Sequence, residues 1–307
     1  MIGNASSLSA LAVAVLLIFT PAFSAQQDDS NQPNHSSQGG HTIIMEQFTA
    51  TWCDICATID PWLPDWVDAR GSRITRIALH DTFDDPLGNP VTTHRLSRFE
   101  TPNPAAPSFW FDGDNEIVGG VSQADLDLAL LLAESSRNSD SILSISTYSG
   151  VSSDGQETIQ IEVELSEVNF EDNSQISVFI LRDSTILSEQ ALNGITEHHD
   201  VIVGYAEAAL NSEVISFNYG LHSARMASQQ SNFKMIITFQ IDFEQQDELT
   251  IVGVHELIQP NDEMSTLGAT SLTLDDQSTA SSRVPLWFPL SLVLILSALA
   301  LRARSRR

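Results

Sequence analysis

The stretch Phe48-Thr49-Ala50-Thr51-Trp52-Cys53-Asp54-Ile55-Cys56 decides how the rest of the chain is read. It carries the only two cysteines among 307 residues, directly after the apolar run Ile43-Ile44-Met45-Glu46-Gln47-Phe48. That run reads as a buried strand. A helix from about Cys53 to Ala69 is predicted to follow, with Trp62 and Trp66 at i and i+4 on one face. Cysteines so spaced at a strand-to-helix junction suit a reversible dithiol/disulfide pair. At a helix start, unpaired N–H groups and the helix dipole stabilise a thiolate. Cys53 is therefore read as the exposed nucleophile and Cys56, one turn later, as the resolving thiol. Three other readings compete. A structural disulfide across so short a loop stabilises little. Zinc wants four ligands, and no second C-x-x-C exists. Haem attachment needs a histidine where Ala57 stands. No metal and no dissociable cofactor is expected.

Working outward, Ile74–Leu79 reads as a strand, Arg95–Phe99 as a short helical patch and Ser108–Phe111 as a further strand. Asp112-Gly113-Asp114-Asn115 is a hairpin turn. Ser122 with Asp125 forms a capping box that opens a helix to about Ser136. Strand, helix, strand, hairpin and helix make a compact α/β unit over residues 42–137.

This region resembles a thioredoxin-fold domain. Phe48-Thr49-Ala50-Thr51-Trp52-Cys53 followed by Cys56 is similar to that family's F-x-A-x-W-C-x-x-C run. Pro61, five residues past Cys56, matches the proline that kinks the active-site helix. Ala106-Pro107-Ser108 matches the cis-proline loop, and Asp112-Gly113 through Gly120 matches the hairpin and its following turn. The resemblance implies that Pro107 is cis and packs beside the cysteines. It further implies that Trp52, Ala106 and Pro107 form the substrate side, with the Ala106 backbone pairing with an extended client segment. Two positions depart from the family. Gln47 stands where many members carry a buried aspartate that manages protons, and it cannot titrate; Glu46 points to the opposite strand face. Asp54 places a carboxylate beside Cys53 and should raise the thiol pKa. Gln47 and Asp54 are thus the tuning positions, and a weaker oxidant than the periplasmic oxidases of this fold is expected.

Past Asn138 the pattern changes to strict alternation. Thr158–Leu165 and Phe233–Phe243 alternate apolar and polar residues. Ile142–Tyr148, Ile176–Leu181, Val214–Tyr219 and Leu249–Leu257 complete six predicted strands. An all-β, immunoglobulin-like sandwich is expected over residues 138–269. Asp183–Leu210 is less regular and reads as a long connection. This layout, with Val178–Asp183 and His198–Val203, is similar to thioredoxin-fold surface proteins of bacterial outer membranes.

The chain ends add a location. Leu8–Phe19 is apolar and closes on Ala22-Phe23-Ser24, a secretory signal over residues 1–25. A polar, flexible leader is expected over 26–41 and a polar stalk over 270–283. Val284–Leu301 is an uncharged run of transmembrane length, and a basic tail over 302–307 follows it. The run predicts a single-pass type I arrangement with the middle of the chain outside the cytoplasm; a processed C-terminal sorting tail is the alternative. From Asp28 to Arg283 the chain holds all 40 acidic but only 10 of 14 basic residues, a net of −30. Such a field disfavours nucleic acid and anionic lipid as ectodomain partners.

His80-Asp81 with Asp84-Asp85 could suggest a cation site but reads better as a solvated loop; His198-His199-Asp200 could suggest a metal site but reads better as an ordinary loop or a strand-entry histidine pair. The expected function is a membrane-anchored, extracytoplasmic thiol–disulfide oxidoreductase. Its partners would be client protein thiols or disulfides and a redox protein that recharges the pair. A surface binding or adhesion protein with a non-catalytic scaffold is the alternative.

Overall fold

The structure, a computed structural model, describes residues 32–99, 103–137, 141–153, 155–166, 173–187, 191–229, 232–240, 249–258 and 264–274. The predicted signal, the first leader residues, residues 275–283, the apolar stretch 284–301 and the basic tail lie outside the described residues. Among the described residues no helix is long and apolar enough to cross a membrane. Described residues from Asn34 on belong to one compact unit.

Two sheets dominate. β1 (His35–Gly39), β6 (Leu143–Val151), β7 (Glu157–Leu165), β14 (Asn232–Gln240) and β13 (Ser223–Gln229) form an antiparallel sheet in that order. The larger sheet runs β16 (Met264–Leu274), β15 (Leu249–Ile258), β8 (Ser174–Arg182), β11 (Val201–Ala209), β3 (Ile74–His80), β2 (Ile43–Thr49), β4 (Ser108–Phe111) and β5 (Asp114–Val118). A short β12 (Phe217–Tyr219) adds to β11. β2 lies parallel to β3, and β3 parallel to β11 through Ala78 and Val201. A two-stranded ribbon, β9 (Thr185–Ile186) with β10 (Glu197–His198), stands apart from both sheets. The helices are α1 (Leu63–Asp68), α2 (Pro90–Leu96) and α3 (Gln123–Ser136).

The expected fold class, an α/β thioredoxin-like domain followed by an all-β immunoglobulin-like sandwich, is corrected; the expected transmembrane helix lies outside the described residues. The described residues are 51% strand and 16% helix, so the protein is mainly β. Strands from both halves of the chain join in one sheet where β3 meets β11. The physical reason for the low helix content is local. The run expected as one helix from Cys53 to Ala69 contains Pro61 and Pro64, each lacking an amide donor. It divides into a 3-10 turn at Cys56–Thr58 and α1, which takes Pro64 into its first turn. Two further segments gain order: β1 lies in the expected leader, and Thr270–Leu274 of the expected stalk belongs to β16.

The large sheet is covered on both faces, which is why β2, β3 and β8 are buried along nearly their whole length. On one face, Ile176, Val178 and Ile180 of β8 pack against Ile145, Ile161 and Val163 of the smaller sheet, the interior of a β-sandwich. Further along the same face, Ile43 and Met45 of β2 pack under Leu63 and Trp66 of α1 and Leu126 and Leu130 of α3. The opposite face carries Ile44, Phe48, Ile77, Phe179 and Val252 with Val91 and Leu96 of α2. α3 begins with the predicted capping box between Ser122 and Asp125.

Charge is buried here as well. Arg95 of α2 meets Glu46 of β2 in a paired contact at 2.8 Å and Glu256 of β15 at 2.7 Å. Glu207 of β11 is held by Arg98 at 2.8 Å, His94 at 2.9 Å and the Tyr205 hydroxyl at 2.7 Å. These partners hold the Glu207 carboxyl down at about 2, although its burial acts in the opposite direction.

Candidate functional site

β2 delivers the chain to the cysteines. After Thr49 it turns at Ala50, whose carbonyl accepts the Cys53 N–H at 3.1 Å. Cys53 and Cys56 are joined in a disulfide. The Cys56 N–H donates to Cys53 Sγ at 3.1 Å, and Asp60 N–H donates to Cys56 O at 2.8 Å. The expectation of an exposed nucleophile at a helix start is corrected on both counts. Cys53 is only 4% exposed and Cys56 is 0% exposed. Only a three-residue 3-10 turn follows Cys53, so one directed N–H at its sulfur replaces a helix dipole.

Of the residues named for the substrate side, Ala106 is in contact with the cysteines. The Ala106–Pro107 peptide is cis, and Ala106 packs on the cluster of Ala50, Cys53 and Cys56. Trp52 is 38% exposed, and its Nε1 donates to Phe83 O at 3.1 Å. Asp54 is exposed beside Cys53, as are Ile55 and Phe83.

Gln47, on the strand that leads to the cysteines, is fully buried. Its Nε2 donates to Asp60 Oδ1 at 2.7 Å, and its Oε1 accepts from Arg76 Nε at 2.7 Å. Asp60 Oδ2 also accepts from Thr49 Oγ1 at 2.9 Å. Arg76 continues to Asp200 Oδ2 at 3.1 Å. Burial still pushes the Asp200 carboxyl up from its ordinary range, against the pull of Arg76. Gln47 therefore anchors a buried carboxylate supplied by Asp60 rather than being one. Asp60 escaped sequence reasoning; its sole signal was an acid immediately before Pro61.

The run from His80 to Asp85 is not a simple solvated loop, and His198-His199-Asp200 lies at the entry to β11. His80 and Asp85 are buried and paired, Nδ1 to Oδ2, at 3.0 Å. The same Asp85 oxygen accepts the Thr51 N–H at 2.8 Å, and Oδ1 accepts Leu87 N–H at 2.9 Å. Burial opposes ionisation of Asp85, but the His80 contact and these two N–H groups outweigh it and lower its pKa. The His198-His199-Asp200 run splits three ways. His198 turns inward, its ring 5.3 Å from that of His80, and burial followed by the His80 neighbour lowers its pKa. The Nδ1 of His199 lies 2.8 Å from Asp183 O, and Asp200 meets Arg76. Among the described residues no group of three or more His, Cys, Asp or Glu side chains could hold a metal ion.

A contribution from the second half of the chain was not foreseen. Asn193, between β9 and β10, donates its backbone N–H to Thr51 O at 2.9 Å. Its side-chain Nδ2 donates to Ala50 O at 3.2 Å and Cys53 O at 3.4 Å. A lone asparagine in an irregular stretch carries no sequence signal for such a role.

The architecture defined by these sheets has solved counterparts. HBP35 of Porphyromonas gingivalis superposes with a TM-score of 0.55 at 12% identity, covering 77% of this chain and 76% of that one. A protein of Agrobacterium tumefaciens gives a TM-score of 0.49 at 10% identity, covering 76% of this chain and 95% of its own. At these identities the HBP35 likeness is one of fold. No family model and no curated protein matches the chain.

Proposed function

We propose that the chain is an extracytoplasmic thiol–disulfide oxidoreductase working through Cys53 and Cys56. The observation that carries the reading is the disulfide between its only two cysteines, set at the end of a buried strand with a backbone N–H directed at Cys53 Sγ. The motif run from Phe48 to Cys56, which resembles that of the thioredoxin superfamily, supports it. A client thiolate attacks Cys53 Sγ, the Cys53–Cys56 bond breaks, and Cys56 leaves as a thiolate that takes up a proton. A second client thiolate then attacks the client sulfur of the mixed disulfide. The client disulfide forms, Cys53 is released as a thiolate, and two electrons have passed to the pair. The reverse sequence reduces a client. Trp52, Ala106 and Pro107 form the side on which the client segment lies. A separate redox protein restores the pair, and no dissociable cofactor takes part.

Location outside the cytoplasm rests on the signal-like N-terminus and on the uncharged run Val284–Leu301 with the basic tail after it. Burial of both sulfurs favours a second reading, a surface binding protein whose disulfide is inert. Cys56→Ala decides between them: its Cys53 thiolate attacks a client disulfide, displaces one client sulfur as a thiol, and the resulting mixed disulfide should accumulate under non-reducing electrophoresis because no resolving thiol is left. Absence of any adduct, together with no turnover of insulin by the wild-type protein, would leave the binding reading.

A further inference from the structure

We propose that Asn193 is a positioning residue that clamps the dithiol loop shut and sets how readily Cys53 is reached; this rests on the redox reading above. The loop Ala50–Cys53 is held from two directions at one residue, Thr51. Asp85 accepts the Thr51 N–H at 2.8 Å, and the Asn193 N–H donates to the Thr51 carbonyl at 2.9 Å. Asn193 Nδ2 then bridges the carbonyls of Ala50 and Cys53, at 3.2 and 3.4 Å, so one residue engages three of the loop's four carbonyl-bearing positions.

The clamp is itself anchored. Asn193 Oδ1 accepts the Ile195 N–H at 3.1 Å, Leu187 N–H donates to Thr196 O at 2.9 Å, and β9 pairs with β10. β10 ends on His198, which lies against His80, the partner of Asp85. Both arms of the clamp therefore meet behind the loop. In contrast, the residue beside Asn193, Leu192, is 83% exposed.

Exchange demands that a thiolate reach Cys53 Sγ, opposite the bond to Cys56. With Cys53 at 4% exposure, the loop has to open before that approach is free. Opening breaks the Asn193 bonds, so they raise the free energy of the reactive conformation. The two side-chain bonds are ordinary amide-to-carbonyl ones, and losing them should speed access about tenfold.

The test is reduction of the full-length protein by dithiothreitol, followed by the rate of thiol release, with thermal unfolding as control. Dithiothreitol supplies both electrons and closes to its own cyclic disulfide. Asn193→Asp is the informative variant. It keeps an oxygen for Ile195 N–H but has no donor for Ala50 and Cys53, so a residue that merely shapes its own turn would leave the rate unchanged. Asn193→Asp and Asn193→Ala are expected to be reduced about tenfold faster than wild type. Reduction of all three proteins at one rate overturns the clamp and leaves the redox reading standing. Resistance of all three to reduction overturns the redox reading instead.

Discussion

Gln47 donates its side-chain N–H to the Asp60 carboxylate at 2.7 Å, and Asp60 in turn donates its backbone N–H to Cys56 O. The contact moves the buried acid of the site from the strand to the turn after Cys56, and it makes Asp60 a structural partner of Gln47, Thr49 and Arg76 together.

Asp60→Ala leaves the Gln47 amide and the Thr49 hydroxyl buried without their acceptor. Each such loss costs about 1–3 kcal/mol. A loss of about 3 kcal/mol in urea unfolding is expected, and wild-type stability for Asp60→Ala would contradict the network.

Arg95→Met removes the cation between Glu46 and Glu256, both fully buried. Stranding a buried charge costs about 3–5 kcal/mol. The urea midpoint should fall accordingly, while Arg73→Met, which breaks an exposed pair with Glu134, should change it little.

Acid should act in two windows. Burial holds His255 down at about 4, with the Ser141 hydroxyl at 2.8 Å from its Nδ1. The unfolded chain binds this proton near 6.5 and the native state only near 4. Through His255, stability therefore falls by roughly 3 kcal/mol as pH drops from 6.5 towards 4, and Asp112, pushed up to about 6 by burial, opposes that fall over the same range. Glu207, held at about 2, contributes stability above about 4.5 that is lost as pH falls through about 2. His255→Asn should flatten the upper window of the melting-temperature profile and leave the lower one; an unchanged upper slope would count against the assignment.

Asp54 is exposed, so its effect on the Cys53 thiol is screened. In the reduced protein, Asp54→Asn should lower the Cys53 pKa by a few tenths of a unit, read from the pH dependence of alkylation. No change would remove Asp54 from the tuning positions.

What the sequence disclosed follows from how local each signal is. Strict alternation in Thr158–Leu165 and Phe233–Phe243 marks strands with one face inward; the first appears as β7 and the second as β14 up to Gln240, its last three residues lying outside the described residues. The turn at Asp112-Gly113 takes positive φ at both residues, as its composition requires. β11 was hidden in the stretch read as a connection. Its inward residues include Ala206 and Ala208, and Glu207 looks like a surface residue until its partners Arg98, His94 and Tyr205 are assembled around it. β11 is also the strand that carries the large sheet from one half of the chain to the other, so the fold class was misread with it. At the site, the Cys53–Cys56 pair and the cis peptide at Ala106–Pro107 were legible because their motifs are contiguous or short. Asp60, Asp85 and Asn193 act through hydrogen bonds that reach partners 11, 34 and 143 positions away, a range at which one sequence carries no pattern.

The central claim is that the Cys53–Cys56 disulfide exchanges electrons reversibly. Equilibration of the purified protein in graded glutathione buffers, followed by quenching and counting of free thiols, tests it directly. The account predicts a two-electron transition with both thiols appearing together within the range that glutathione can reach, about −180 to −300 mV. A disulfide that stays closed throughout that range, in wild type and in Asn193→Asp alike, would contradict it.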